Sequence, residues 1–195
     1  MIKNPKSEIR SIRQAQDKNT KRKIRVEQLP SKSTKKLRDK KVVVERVLRD
    51  SYLAFIKNSV GSRSWQNWYV KVNGKKIDAT EGGNKSCSYF ATSILYLFGL
   101  IDSLHGTTWR TEEEMLKTGW KRIPTSMAKE GDVIVWEEVE FPKAGPVPHM
   151  GFYLGDKRAV STSMQRKIVT RHHYTYGGKR KIAAFYRHPR VNPGS

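Results

Sequence analysis

The sequence predicts an α+β protein, in which helices come first and a meander of short antiparallel strands follows. Two segments in the first half carry apolar residues at i, i+3, i+4 spacing, the signature of an amphipathic helix. After Gly131, short apolar runs alternate with turns rich in Pro and Gly. The 195 residues are 36% hydrophobic, which suffices for one core but is too little for a membrane protein.

Residues 1–40 are predicted to be a basic, disordered arm, because their few apolar residues cannot offset the entropy lost on ordering. Residues 1–41 carry a net charge of +11 out of +21 for the whole chain. Such an arm is either a solvated tail or a segment that binds an anionic polymer, such as nucleic acid or a wall polymer. The folded domain is predicted over residues 41–190, followed by a tail at 191–195.

The domain begins with a predicted helix from Val44 to Ile56, with Gly61 as its stop. Residues 68–72 and 75–77 then flank Asn73-Gly74, a pair of residues typical of a tight hairpin turn.

A second apolar stripe follows the Gly82-Gly83 turn and predicts the central helix of the fold, with Cys87 in its first turn. A polar helix at 111–118 comes next. About five antiparallel strands are then predicted, and the Cys-bearing helix is expected to pack on that sheet; the strands are 132–137, 149–154, 158–163, 167–171 and 181–187.

Cys87 is the only cysteine, so the chain has no internal disulfide and no cysteine pair for structural zinc. One interpretation is a small buried hydrophobic residue on the helix stripe. The other is a nucleophile, because the first turn of a helix lowers a thiol pKa and offers free N–H groups to an oxyanion.

His149 is the candidate base for such a thiol. Strand alternation places His149, Gly151 and Tyr153 on one face, and Gly151 is expected to leave room for the Cys-bearing helix. A three-residue turn at 155–157 would pair Phe152 with residue 160 and bring Ser161 beside His149, where it could orient the imidazole.

Other side chains are weaker candidates. Ser163, Tyr153 and Trp136 are possible orienting or cleft residues. His172 and His173 could flank the site or bind a metal, but they lack an Asp, Glu or Cys at ligand spacing, which favours an exposed basic loop.

These residues together resemble a family, the papain-like cell-wall hydrolases of the NlpC type and the related CHAP amidases. The resemblance lies in a Gly-Gly turn, then Cys87-Ser88, then the strand that starts Gly131-Asp132, then the run from His149 to Gly155. Family members usually have Asp before the Cys and Gly after Cys-Ser, whereas this chain has Ser86 and Tyr89.

The resemblance implies a papain-like domain that hydrolyses amide bonds in peptidoglycan peptides. It implies that Cys87 attacks, His149 transfers the proton and Ser161 orients His149. The backbone N–H groups of Cys87 and Ser88 would then stabilise the oxyanion, and neither a cofactor nor a metal is expected.

The alternative function is a module without catalysis, which binds nucleic acid or an anionic wall polymer through its basic residues while Cys87 is structural. The N-terminal residues lack the apolar segment of a signal peptide. The sequence therefore predicts residence in the cytoplasm or export to the wall by another route. It leaves the oligomeric state open.

Overall fold

A computed structural model describes residues 43–141 and 145–193. The chain divides into two units, Met1–Arg46 and Val47–Ser195. Of the first unit only residues 43–46 are described, and they have no regular secondary structure. The predicted basic arm at residues 1–40 lies outside the described residues, as do the last two residues of the predicted tail.

The second unit contains helices in its first half and the large sheet in its second half. The α-helices of the described residues are α1 (Leu48–Asn58), α2 (Cys87–Leu97) and α3 (Thr108–Lys117). The strands are β1 (Tyr69–Val72), β2 (Lys75–Asp78), β3 (Lys121–Ile123), β4 (Val133–Phe141), β5 (Gly145–Tyr153), β6 (Arg158–Ser163), β7 (Ile168–His173) and β8 (Ile182–Arg187).

The strands form two antiparallel sheets, which confirms the α+β class. Strands β1 and β2 make the predicted hairpin, with Asn73 and Gly74 at positive φ in its turn. The other six strands form one sheet in the order β3-β8-β4-β5-β6-β7. The prediction of about five strands missed β3, because three residues are too few to show alternation.

Helices α1 and α2 contribute to the main core, on one face of the sheet. Helix α2 is buried along most of its length, and the side chains of Phe90, Ala91, Ile94 and Leu95 have no exposed surface. They join Val133, Val135, Met150 and Phe152 of the sheet in one cluster, which also includes Cys87. Burial of each large apolar side chain contributes about 2 kcal/mol, so α2 is anchored firmly to β5 and β6.

A second, smaller cluster lies on the alternate residues of the same strands. It contains Ile134, Trp136, Ala159 and Phe185, with several tyrosines packed against it. Because successive side chains of a strand point to opposite faces, this cluster occupies the face away from α2. The sheet therefore has apolar side chains on both faces.

The Gly131-Asp132 pair at the start of β4 is part of the framework. The Asp132 carboxylate is fully buried and accepts hydrogen bonds from the Arg187 guanidinium at 3.0 and 2.7 Å and from the Asn192 amide at 3.2 Å. The Tyr52 hydroxyl donates to the Gly131 carbonyl at 3.0 Å. These contacts connect β4 to β8, to the C-terminal segment and to α1, and they fix where β4 begins.

Candidate functional site

The turn that leads into α2 is organised by a carboxylate. Asp78 accepts hydrogen bonds from the backbone N–H groups of Trp68, Thr80 and Gly82 at 2.9 to 3.1 Å. Desolvation alone would raise the pKa of Asp78, but these bonds and those from the side chains of Thr80 and Asn67 outweigh it and lower that pKa well below its ordinary value. The ionised carboxylate thus holds the segment before Cys87 in one conformation.

Cys87 is the first residue of α2, and its side chain is largely buried. Burial raises the pKa of the thiol. Hydrogen bonds from the Met150 backbone and from Ser88, and the charge of Arg180, act in the opposite direction without cancelling that rise. The resting side chain is therefore a neutral thiol at neutral pH, and it needs a base to become a nucleophile.

The N-terminus of α2 retains free backbone donors. The Ser86 hydroxyl donates to the Gly83 carbonyl at 3.0 Å and does not cap the helix. Helical hydrogen bonding begins with Phe90, whose N–H donates to the Ser86 carbonyl at 2.8 Å. Within the described residues, the N–H groups of Cys87 and Ser88 donate to no oxygen atom. Both N–H groups lie at the open end of the helix, and that of Ser88 hydrogen-bonds to the Cys87 sulfur. Their role towards an oxyanion stays a prediction.

His149 lies in β5, and its ring is held from two sides. The imidazole stacks on the Trp136 indole with ring centroids 5.2 Å apart, and its Nε2 is 2.9 Å from Ser161 Oγ. The predicted register is confirmed, because Phe152 pairs with Val160 across β5 and β6. Trp136 and Ser161 therefore both lie at the imidazole, as expected of an orienting or cleft residue.

The prediction that Gly151 leaves room for the Cys-bearing helix is wrong. A Cβ at Gly151 would lie 2.3 Å from the Val160 carbonyl oxygen and 2.8 Å from Ser161 Cβ. The element that approaches closely is strand β6 and not the Cys-bearing helix. The missing side chain thus allows β6 to bring Ser161 within hydrogen-bond distance of His149.

Ser161 is fully buried and has three hydrogen-bond partners. Its Oγ is 2.9 Å from His149 Nε2, 2.8 Å from His172 Nε2 and 2.9 Å from the Tyr176 hydroxyl. The rings of His172 and Tyr176 stack with centroids 4.0 Å apart. A serine hydroxyl has one proton and two lone pairs, so these three bonds use its full capacity.

The proton positions in this network follow from His172. Its Nδ1 donates to the His173 carbonyl at 2.8 Å, and burial lowers its pKa, so the ring is neutral and its Nε2 accepts. Ser161 must then donate to His172 and accept from both Tyr176 and His149. The proton of neutral His149 is therefore on Nε2, and the lone pair that can act as a base is on Nδ1.

Burial, followed by the charges of Arg180 and His172, lowers the pKa of His149 well below its ordinary value. The imidazole is therefore neutral at neutral pH, and its burial disfavours the protonated form. No hydrogen bond joins it to the Cys87 sulfur in the part of the chain that the structure describes. The Cys87 sulfur instead accepts a hydrogen bond from the backbone N–H of Met150, the residue after His149, while the His149 ring packs on Trp136.

Four other residues considered from the sequence lie elsewhere or behave differently from the expectation. Ser163 accepts from the Arg166 backbone at 3.1 Å, and the ring of Tyr153 packs on Tyr174 and Phe185, so neither contacts His149. The prediction of an exposed loop at His172 and His173 is wrong.

Both histidines end β7, which pairs with β6 through Ser161 opposite Thr170. Because His172 is two residues beyond Thr170, it lies on the same face of the sheet as Ser161. Extending the predicted strand 167–171 by two residues would have predicted this position.

Arg180 is a residue near the candidate site that no sequence pattern predicts. Its guanidinium donates to the Val147 carbonyl at 2.7 Å, and its charge acts on Cys87, His149 and Tyr176. It lies in the loop before β8, where no periodic pattern predicts which residues reach the site.

No group of three or more His, Cys, Asp or Glu side chains in the described ranges could hold a metal ion. Within the same ranges, no helix is long and apolar enough to cross a membrane. No protein-family model matches the chain, and no curated protein matches it.

Proposed function

We propose that the protein is a thiol-dependent amide hydrolase with a papain-like arrangement of Cys87, His149 and Ser161. The observation that carries the proposal is the hydrogen bond between His149 Nε2 and Ser161, which leaves Nδ1 as the basic nitrogen. The sulfur of Cys87 lies against the backbone of the next residue in the same strand, Met150. The proposed thiol and base are therefore carried by α2 and by β5, the strand on which α2 packs.

In the proposed reaction, Nδ1 of His149 accepts the thiol proton as Cys87 Sγ attacks the amide carbonyl carbon. The N–H groups of Cys87 and Ser88 stabilise the oxyanion of the tetrahedral intermediate. The C–N bond breaks, His149 returns the proton to the departing amine, and a thioester remains. Water, deprotonated by His149, then releases the carboxylate and restores the thiol.

Because the thiol and the imidazole are both neutral at rest, this is general-base catalysis and not a preformed thiolate–imidazolium pair. Ser161 orients His149 and accepts its Nε2 proton in a hydrogen bond. It takes the position that a carboxylate or amide often has in such sites.

The proposed substrates are peptidoglycan peptides, which the resemblance to NlpC-type and CHAP enzymes suggests. The net charge of +21 is compatible with a wall that carries anionic polymers. Purified peptidoglycan and synthetic stem peptides are the substrates to test, with released amino groups measured by mass spectrometry.

Cys87→Ala and His149→Ala should each abolish product release. His105→Ala is the matched control, since its imidazole has no hydrogen bond to the Ser161 network, and it should retain activity. Equal product release by the wild-type, Cys87→Ala and His149→Ala proteins would show that the proposed mechanism is wrong.

A second candidate function, binding of an anionic polymer, is favoured by the β1–β2 hairpin. Lys71, Lys75 and Lys76 are all exposed there, and Lys76 lies 4.5 Å from the centroid of the exposed Tyr69 ring. Neutralisation of phosphates by lysines makes affinity fall steeply with salt. Binding to single-stranded nucleic acid that weakens with salt, and that Lys71→Gln with Lys76→Gln reduces, would support it. Salt-independent binding would contradict it.

A further inference from the structure

Arg180 is held beside the candidate site by a backbone contact. Its guanidinium donates to the carbonyl of Val147, two residues before His149 in β5, at 2.7 Å. Arg180, Val147, His149 and Tyr176 are all half-buried. These four residues thus form an accessible part of the site next to the largely buried thiol.

The charge of Arg180 is not balanced by any carboxylate within residues 43–141 and 145–193. Among the described residues Arg180 forms no ion pair, whereas Arg187 is matched by the buried carboxylate of Asp132 at 2.7 Å. One carbonyl satisfies one of the five N–H donors of a guanidinium. Burial lowers the pKa of Arg180, because partial desolvation disfavours the charged guanidinium.

A partly buried guanidinium that has a carbonyl partner but no ion-pair partner in the described part of the chain is suited to bind an anion that arrives with the substrate. The planar fork of a guanidinium matches a carboxylate in two parallel hydrogen bonds. Arg180 is bonded to Val147, two residues before His149, so such a carboxylate would bind beside the strand that carries the proposed base.

We propose that Arg180 binds a free carboxylate of the substrate, and that the enzyme prefers amides whose neighbouring group is anionic. This inference rests on the proposed function, because it uses Cys87 as the reacting group. It adds the substrate class: peptides with a free carboxylate close to the scissile amide.

The test uses two alkylating reagents of the same shape. Iodoacetate carries a carboxylate where iodoacetamide carries a neutral amide. In both reactions the thiolate sulfur forms a bond to the CH2 carbon, the C–I bond breaks, iodide leaves and the thiol proton passes to His149 or buffer. The chain has one cysteine, so intact-mass measurement reports on Cys87 alone.

The quantity compared is the ratio of the iodoacetate rate to the iodoacetamide rate, divided by the same ratio for the urea-denatured chain. We expect this normalised ratio to fall about tenfold in Arg180→Gln, since one charge-assisted hydrogen-bonded pair corresponds to that factor. Arg166→Gln removes the same formal charge from an exposed turn and should leave the ratio unchanged. This control separates local binding from the general attraction of a basic protein.

Two results would overturn the inference, and they are distinguishable. If Arg180→Gln slows both reagents equally, Arg180 acts on the thiol pKa and not on a ligand, while the proposed function stands. If the native protein is not alkylated by either reagent under conditions that label the denatured chain, Cys87 is inaccessible. That result would overturn the proposed function as well.

Discussion

Strands β5 and β6 approach each other closely at Gly151, and replacement of this glycine by alanine should separate them. The new Cβ would lie 2.3 Å from the Val160 carbonyl oxygen and 2.8 Å from Ser161 Cβ, whereas ordinary contacts begin at 3.4 Å. The strands would have to move apart by about 1 Å, and the obstacle is backbone and not a flexible side chain. Overpacking of this kind costs about 1–3 kcal/mol.

The same movement would stretch the hydrogen bond between His149 and Ser161, and this loss adds about 1 kcal/mol to the destabilisation. We therefore expect Gly151→Ala to lower the free energy of unfolding by about 3 kcal/mol and Tm by roughly 6–12 °C. Urea unfolding followed by tryptophan fluorescence measures the first quantity. The proposed hydrolase activity should fall with it, under conditions where the variant is still folded.

Gly106→Ala is the matched control. A Cβ there would meet only the Trp68 ring at 3.4 Å, and the backbone of Gly106 is not in the left-handed region, so we expect a change within about 1 kcal/mol. A Gly151→Ala protein with the wild-type urea midpoint would refute the close approach of β5 and β6.

Further predictions concern a buried ion pair, the thiol and the hydrogen-bond network. Asp132→Ala leaves the buried Arg187 unpaired and should cost about 3–5 kcal/mol in urea unfolding; an unchanged midpoint would contradict the burial of this pair. Burial raises the pKa of Cys87, so the thiol form persists to higher pH. The rate of alkylation by iodoacetamide should rise with a midpoint above the ordinary thiol value of about 8.5, and an inflection below pH 7 would instead indicate a stabilised thiolate. His172→Ala removes the acceptor that orders the network, so nitrogen NMR should show His149 losing its single tautomer and kcat should fall with little change in KM; an unaltered spectrum would count against the assigned proton positions.

Much of the site could be predicted because its determinants are local. The apolar stripe of α2 sets where Cys87 lies on the helix. The turn after β5 and the alternation of both strands set Ser161 near His149, since a slip of one residue would have moved apolar side chains off the core face.

The other features of the site depend on tertiary contacts, which produce no periodic pattern in the sequence. His172 was assigned to a loop because the apolar alternation fades before it, although pairing with β6 continues to the end of β7. Arg180 reaches the site from an irregular segment through a single bond to a carbonyl. The role of Gly151 was mistaken because a glycine in a strand indicates a close approach without indicating which element approaches.

The contacts of β5 limit how such a site could be regulated. The sulfur of Cys87 belongs to α2 and contacts β5 only through the backbone of Met150, whereas the imidazole of His149 belongs to β5 itself. A shift of α2 against β5 would therefore change the distance between the two reacting groups. Control of the reaction could act on this packing as well as on the entry of substrate at the half-buried rim around Arg180 and Tyr176.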